Sequence, residues 1–300
     1  MTQNKGKALI IGAGIAGLSS AYYLLQKGWQ VEILEQNDLS NNCSYGNAGM
    51  IVPSHFTPLA APGVVAQGIR WMFDSKSPFY VKPSLSTQLL SWGLKFLKHS
   101  NQSHVDRSAQ AIRDLNLASS SLYNEIAGKE EFNFELNQNG ILMLYKTEKV
   151  AEEETELAYK AINLGLSVDI LDKKEIQTLE PNVQLDVIGG VNYKCDGHMN
   201  PMKLMKQMIS YLKNNGVTFH TQHQVTAYET VGNTIKAVIA NGNKFSADRF
   251  IMTGGSFLPE LAQKAGIKIQ LMPGKDIPSC ILLKIQSTDW NMQHYYWKQE

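Results

Sequence analysis

Three observations in the sequence predict an α/β fold with a second α+β layer that contains an antiparallel sheet. A buried strand run, a glycine turn, a helical stretch and a second strand follow one another within about thirty residues of Lys7, the minimum length of a parallel crossover. Another buried strand run occurs much later, at 249–252. Between them, short alternating runs with turn signals over 217–248 are typical of an antiparallel meander.

The individual elements follow from the same hydrophobic patterns. In order, the sequence predicts a strand at 7–11, a helix at 16–26, a strand at 30–34, helices at 86–99 and 105–126, a strand at 140–145, a helix at 147–164, a strand at 168–171, a helix at 201–214, the meander at 217–248 and a strand at 249–252. A turn-rich stretch with five prolines, 37–83, is too long for a simple connection, so we expect it to be functional.

The composition is that of a globular protein with a large core. Of 300 residues, 43% are hydrophobic and 18% are charged, against roughly a quarter charged in average soluble domains. The net charge of +1 excludes the basic footprint of a nucleic-acid binder. Three cysteines without metal-ligand spacing predict neither a disulfide framework nor a zinc site, and they favour a cytoplasmic location.

The strongest motif is Gly12-Ala-Gly14-Ile-Ala-Gly17, which is followed by Glu35 at the end of the second strand. Its first glycine permits a tight turn, the second lets the backbone approach a pyrophosphate, and the third allows close packing of helix on strand. The helix N-terminus then faces the phosphates. Glu35 is placed to accept hydrogen bonds from a ribose, and an acid without a following arginine disfavours a 2′-phosphate. This fingerprint predicts dinucleotide binding but does not separate FAD from NAD.

A series of later motifs supplies that distinction. The motifs are Ser44-Tyr-Gly-Asn-Ala-Gly49, Ala60-Ala-Pro-Gly63, Ile69-Arg-Trp-Met-Phe73, Gly140-Ile-Leu-Met-Leu-Tyr145, Leu179-Glu-Pro181, Gly189-Gly190, Asp196-Gly197, Thr253-Gly-Gly-Ser256 and Pro273-Gly-Lys275. In this order, from residue 7 to residue 275, they resemble the D-amino acid dehydrogenase branch of the D-amino acid oxidase family of flavoproteins. The resemblance implies a Rossmann-type domain with non-covalent FAD, whose isoalloxazine ring lies near Asn47–Gly49 and whose phosphate arm passes Gly254 and Gly255.

These arguments give a set of candidate cofactor-binding residues and a division into domains. The candidates are Gly12, Ala13, Gly14, Ile15, Ala16, Gly17, Glu35, Gln36, Ser44, Asn47, Ala48, Gly49, Val225, Gly254 and Gly255. We expect a discontinuous FAD-binding domain from 1–82, 186–215 and 249–275, a substrate domain from 83–185 and 216–248, and an aberrant tail at 276–300.

Catalytic residues are not assigned by the sequence. His55 and His198 are loop histidines, a type that is more often structural than catalytic. No metal site is expected. Hydride transfer to a flavin needs no encoded acid–base pair, but the substrate carboxylate needs a clamp, usually an arginine. The four arginines, Arg70, Arg107, Arg113 and Arg249, match no substrate motif of the family.

The resemblance stops after Lys275, which suggests a shift of reading frame. The family continues with Gly-Tyr, whereas this chain continues Asp276-Ile-Pro-Ser-Cys-Ile. Restoring one G before the Asp276 codon gives glycine followed by Tyr or His, and the later codons then read like the Leu-Glu-Ala-Arg strand of the dehydrogenase branch. We therefore expect the tail to be a frameshift product and the 300-residue chain to be poorly folded or inactive. A divergent short C-terminus is the alternative.

The function expected from these observations is FAD-dependent oxidation of a D-amino acid, of which a D-proline-like compound is one candidate, with a quinone or another electron acceptor. A glycine- or sarcosine-type amine oxidase that uses oxygen and an inactive nucleotide-binding fragment are the alternatives. Trp71, Trp92, Phe96 and Leu97 have the spacing of a helix core. A peripheral contact of the same residues with the inner face of the plasma membrane is the other interpretation.

Overall fold

The computed structural model describes residues 5–40, 42–66, 68 and 86–272, and the backbone of 295–297. These residues form two compact units. Unit 1 comprises Met1–Ala48, Lys129–Phe134 and Asn200–Pro278, and unit 2 comprises Gly49–Gly128, Glu135–Met199 and Ser279–Glu300. The units differ from the expected domains in two segments. Segment 216–248, expected in the substrate domain, lies in unit 1 with the glycine motif, and segment 186–199, expected in the FAD-binding domain, lies in unit 2. The division into a FAD-binding and a substrate domain stays a prediction.

The described elements agree closely with the predicted boundaries. In chain order they are β1 (Lys7–Ile11), α1 (Ile15–Gln26), β2 (Gln30–Leu34), β3 (Met50–Ile51), α2 (Thr87–His99), α3 (Gln102–Ala127), β4 (Ile141–Tyr145), α4 (Glu148–Asn163), β5 (Val168–Asp172), α5 (Lys173–Leu179), β6 (Gly189–Tyr193), β7 (Gly197–His198), α6 (Pro201–Asn214), β8 (Thr218–His220), β9 (Val225–Val231), β10 (Thr234–Ala240), β11 (Asn243–Ser246), β12 (Arg249–Met252), a 3₁₀ turn (Gly255–Phe257), α7 (Leu258–Lys264) and β13 (Tyr295–Trp297).

Unit 1 is built on a parallel sheet with the strand order β12-β1-β2-β8. Of its two central strands, β1 is buried from Ala8 to Ile11 and β2 buries Val31, Ile33 and Leu34, because each strand lies between two neighbours, as the short apolar runs predict. The prediction of an antiparallel meander is wrong for β8, since Thr218–His220 pairs in parallel with β2. Three residues are too few to carry a strand period, so only the distant partner strand places this segment in the parallel sheet.

The remaining meander is antiparallel, with β10 between β9 and β11. Val225, Val238 and Ala240 of this meander form one apolar cluster with Leu9 and Leu34 of the parallel sheet. The cluster explains why 216–248 belongs to unit 1, because the meander buries its apolar side chains in the same core as the sheet.

Unit 2 contains a second sheet with the order β13-β4-β6-β5, in which β6 pairs antiparallel with both β4 and β5. Strand β6 begins with Gly189 and Gly190, which sequence propensity does not assign to a strand. A Cβ on Gly189 would lie 2.7 Å from the Tyr145 ring, and one on Gly190 would lie 2.8 Å from the Met143 carbonyl oxygen. The glycines are therefore required by close packing within the sheet.

The segment after Lys275 lies outside the described residues except for the backbone of Tyr295–Trp297, which pairs in parallel with β4. The sequence predicts no strand in this tail, so that expectation is wrong for these three residues. Apart from these three residues, the tail that the frameshift hypothesis concerns lies outside the described residues.

Helix α2 exposes a stripe of leucines. Leu90, Leu94 and Leu97 are 66%, 61% and 56% exposed, while Trp92 stacks on Phe96 with a centroid distance of 5.1 Å. The core interpretation is therefore wrong for Leu97, and Trp71 lies outside the described residues. None of the helices that the structure describes combines the length and apolarity needed to cross a bilayer.

We predict that Gly190→Ala lowers the free energy of unfolding by about 1–3 kcal/mol, because the new methyl group overpacks the sheet. Gly93→Ala in α2 is the matched control, because no atom of the described residues lies within 4 Å of its added Cβ. The control is expected to raise the free energy of unfolding by up to about 1 kcal/mol through helix propensity. Denaturant titrations of the purified variants measure both values, and equal effects of the two substitutions would contradict the packing argument.

Candidate functional site

A cavity of about 330 Å³ opens in unit 1 beside the carboxyl ends of β1, β2 and β12. In open parallel sheets, ligands bind outside this edge. The lining is formed by Ile11, Gly12, Gly14, Leu34, Glu35, Gln36, Asn37, Asn42, Cys43, Ser44, His223, Gln224, Val225, Thr253, Gly254, Gly255, Ser256, Phe257, Glu260, Leu261 and Lys264. The N-terminus of α1 lies at the same edge, since Gly14 is its N-cap residue.

Two of the motif glycines are required by the protein's own packing. Gly12 has φ +109°, and an added Cβ would lie 2.8 Å from the Thr253 carbonyl oxygen. A Cβ on Gly17 would overlap the Gly12 carbonyl oxygen and lie 2.9 Å from Thr253 Oγ1. These glycines let α1 approach the turn after β1 at backbone contact distance.

Gly14 is different from its two neighbours. Its backbone conformation, φ −72° and ψ 177°, is open to any residue, and the only contact of an added Cβ is 3.4 Å from Ser44 Oγ. The interior of the described protein therefore gives no steric reason for a glycine at this position. The space beside Gly14 belongs to the cavity, so a ligand that approaches the backbone closely accounts for the missing side chain.

Glu35 connects the end of β2 to the glycine turn. One carboxylate oxygen, Oε2, accepts a hydrogen bond from the Ala13 N–H at 2.9 Å, and Oε1 accepts one from the Asn37 N–H at 2.9 Å. A carboxylate offers about four acceptor positions. The two hydrogen bonds leave about two of these positions, and Glu35 lines the cavity, where donors such as sugar hydroxyl groups can reach it.

Ser44 has a structural task within the site. Its Oγ accepts a hydrogen bond from the Ile15 N–H at 3.0 Å, which satisfies one of the free N–H groups of the first turn of α1. The Asn42 side chain supports this arrangement, accepting from the Ser44 N–H at 2.9 Å and donating to the Ala13 carbonyl at 3.3 Å. The loop after β2 is thereby tied to the glycine turn from the opposite side to Glu35.

The predicted site residues divide into three groups. Those on the cavity wall are Gly12, Gly14, Glu35, Gln36, Ser44, Val225, Gly254 and Gly255. Ala13, Ile15, Ala16 and Gly17 belong to the turn and to the first turn of α1 behind that wall. Asn47, Ala48 and Gly49 do not line the cavity; Asn47 donates from Nδ2 to the Ser44 carbonyl at 2.8 Å. The roles of all these residues stay predictions.

Several lining residues are absent from the predicted set, among them the polar side chains of Asn42, His223 and Lys264. Lys264 donates from Nζ to the Val225 carbonyl at 2.9 Å and pairs with Glu260 at 3.0 Å. His223 lies in the connection from β8 to β9. No local signal marks either residue, because the pairing of β8 with β2 and the packing of α7 bring them to the cavity.

The titratable groups considered in unit 2 have structural partners. Asp196, 2% exposed, accepts hydrogen bonds from the Ser54 Oγ–H at 2.5 Å and from the Ser54 N–H at 3.0 Å. Burial raises the pKa of Asp196, and burial raises the pKa of the adjacent Cys195 thiol to about 12. His55 is exposed, and His198 is half-buried in β7.

None of the described arginines is among the residues that line the cavity. Arg113 pairs with Asp114 at 2.5 Å and donates to the Leu164 carbonyl. Arg249 donates to the Asp248 carbonyl at 2.8 Å, and Arg107 is exposed on α3. Arg70 lies outside the described residues. Among the described residues, no cluster of histidine, cysteine, aspartate or glutamate has the arrangement of a metal site.

Comparison with known proteins shows to which family of proteins this chain belongs. Residues 7–281 match the FAD dependent oxidoreductase family, so the chain belongs to that family. The expected family is thereby confirmed, and FAD is the cofactor that the family uses. The residues present fit this cofactor. The N-terminus of α1 and the free space beside Gly14 lie at the cavity, and Glu35 next to them has further acceptor positions.

Among curated relatives, the chain is 31% identical over 271 residues to a D-amino acid dehydrogenase of Helicobacter pylori (strain ATCC 700392 / 26695), with 90% of this chain and 65% of the relative covered. It is 27% identical over 276 residues to a D-amino acid dehydrogenase of Vibrio vulnificus (strain CMCP6), with 90% and 66% covered. The chain thus spans about 65% of the length of these relatives.

Solved structures confirm the fold class. Glycine oxidase from Geobacillus kaustophilus superposes with a TM-score of 0.60 at 17% identity, over 88% of this chain and 59% of that chain. L-α-glycerophosphate oxidase from Mycoplasma pneumoniae, solved with FAD bound, gives a TM-score of 0.57 at 18% identity, over 88% and 57% of the two chains.

Proposed function

We propose that this chain binds FAD in the unit 1 cavity, with the pyrophosphate beside Gly14 and the adenosine ribose at Glu35. The observation that carries the proposal is the glycine at position 14, which the protein's own packing does not require. A pyrophosphate in this place would face the N-terminus of α1, whose positive end favours anions. Gly254 and Gly255 would line the path of the phosphate arm.

We further propose that the protein oxidises a D-amino acid. The named relatives support this substrate class, with identities of 31% and 27% over nine tenths of the chain. Bound FAD would supply the hydride acceptor for the substrate Cα–H, and the resulting imino acid would hydrolyse to a keto acid and ammonia. The contribution of this chain is to hold the dinucleotide rigidly. We propose that Asn47–Gly49 lies near the isoalloxazine ring of the flavin.

Substitutions in the glycine turn distinguish a cofactor contact from a packing requirement. We predict that Gly14→Ala leaves the free energy of unfolding without FAD within about 1 kcal/mol of the unmodified chain and weakens FAD binding at least about tenfold. Gly17→Ala is the matched control and lowers the free energy of unfolding without FAD by about 3 kcal/mol, because its Cβ overlaps the Gly12 carbonyl oxygen.

Denaturant titration of the FAD-free protein and equilibrium dialysis with FAD measure the two quantities. If Gly14→Ala binds FAD as tightly as the unmodified chain, the pyrophosphate does not lie beside Gly14.

The electron acceptor separates dehydrogenase from oxidase activity. We predict that a frame-restored chain, reconstituted with FAD, reduces a quinone or an artificial dye with D-amino acids and reacts slowly with oxygen, as the dehydrogenase relatives' names indicate, whereas the 300-residue chain is expected to be inactive. The measurement uses a panel of D-amino acids that includes D-proline, with L-enantiomers, glycine and sarcosine as controls. Faster turnover of glycine or sarcosine with oxygen would favour the amine oxidase instead, and bound FAD without any turnover would favour a nucleotide-binding fragment.

We also propose a peripheral membrane contact through α2. Leu90, Leu94 and Leu97 form one stripe at the spacing i, i+4, i+7, and the exposed Lys95 and Lys98 follow on an adjacent face. The helix Thr87–His99 contains no acidic residue. An apolar stripe beside lysines is typical of a helix that lies at an anionic lipid surface.

This contact predicts sedimentation with vesicles of phosphatidylglycerol and phosphatidylcholine but not with phosphatidylcholine alone. The triple substitution Leu90→Gln, Leu94→Gln and Leu97→Gln is expected to reduce the bound fraction at least about tenfold. Leu115→Gln on α3, also highly exposed at 70%, is the control and leaves it unchanged. Equal binding of the triple variant would exclude α2 as the contact.

A further inference from the structure

The connection between β8 and β9 is held in an unusual backbone conformation at the cavity wall. Gln222 has φ +58°, a left-handed conformation that residues other than glycine rarely adopt. Its N–H donates to the Asn37 carbonyl at 3.1 Å, and its carbonyl accepts from the Asn241 side chain. Such strained positions persist where the surrounding structure fixes them, and they cluster at binding sites.

The effect of this conformation is to place His223 directly beside Glu35. The His223 N–H donates to the Glu35 carbonyl at 2.8 Å, and His223 is one of the residues that line the cavity. The ring packs edge-on against Phe245 at 5.5 Å with an interplanar angle of 85°. Its backbone and its ring are thus fixed before any ligand arrives, which lowers the entropy lost on binding.

The hydrogen bond at Nδ1 determines whether Nε2 of the His223 ring is a donor or an acceptor. Nδ1 lies 2.7 Å from the Thr221 carbonyl oxygen, and a carbonyl oxygen only accepts, so Nδ1 carries the hydrogen. In the neutral ring, Nε2 is then an acceptor. Glu35 on one side and His223 on the other make this end of the cavity rich in acceptors, which suits the hydroxyl and amino groups of a nucleoside.

We propose that His223 recognises the adenosine half of the cofactor, with Nε2 of the neutral ring accepting a hydrogen bond from an adenosine donor. This inference rests on the proposed FAD site and adds a side chain that the glycine motif does not contain. His223 is a binding residue in this proposal and takes no part in the redox step.

The test compares FAD and ADP as probes, because they share the adenosine half and differ in the flavin half. His223→Phe keeps an aromatic ring against Phe245 and removes the acceptor. We expect it to weaken the binding of FAD and of ADP by the same factor, about 3- to 10-fold, in calorimetric titrations. His223→Gln, whose amide oxygen restores an acceptor, is expected to bind both probes within about twofold of the unmodified chain.

His220 provides the matched control. Its ring also packs against Phe245, at 4.9 Å, but its Nε2 lies 3.1 Å from Glu32 Oε2 and it is not part of the cavity wall formed by the described residues. His220→Phe is therefore expected to leave both affinities unchanged. An equal loss in His220→Phe would overturn the proposal, because ring packing would then explain the effect of His223.

Other outcomes separate this inference from the proposed function. Unchanged affinity in His223→Phe, or a loss for FAD without a loss for ADP, overturns the adenosine contact and leaves the FAD site intact. Absence of binding of either probe to the unmodified chain overturns both. If His223→Phe does not fold, as judged by its thermal melting curve without ligand, His223→Leu replaces it with the same expected losses.

Discussion

The backbone contact between Gly17 in α1 and the Gly12 carbonyl is the constraint on which the rest of unit 1 depends. It sets the distance between α1 and the sheet, and so it fixes where the helix N-terminus points. Thr253, which directly follows β12, binds the same turn: its Oγ1 lies 2.9 Å from the Ile11 carbonyl oxygen and 3.0 Å from that of Gly12. The ends of two strands and the start of a helix therefore meet in one rigid turn, and the cavity opens beside it.

Elements with local signals could be predicted from the sequence, and elements that depend on distant partners could not. Helix α6 was predicted with both boundaries, because Asn200 caps it through the Lys203 N–H and Pro201 occupies its first turn. Strand β6 was missed because its glycines oppose a strand assignment locally, while the need for them comes from Tyr145 and Met143 on the neighbouring strand. Strand β8 was assigned to the wrong sheet for the same kind of reason.

The candidate site shows the same division at the level of single residues. The glycines and Glu35 could be found because a turn, a close approach and a strand end demand these residue types within a short span. His223 and Lys264 reach the cavity only through tertiary pairing: a parallel strand pair and a left-handed Gln222 place the first, and the packing of α7 places the second. Neither requirement leaves a local pattern in the sequence.

Cofactor binding and substrate recognition consequently rest on different kinds of observation. A pyrophosphate is held by backbone groups and a helix end, so its site can be derived from conformations and close contacts alone. A substrate carboxylate is held by a particular side chain, and here Arg113 and Arg249 already have partners within the protein. The assignment of FAD therefore follows from geometry and family together. The proposal of a D-amino acid substrate rests on the names of the relatives, and the dye-reduction assay, rather than the fold, decides between the substrates.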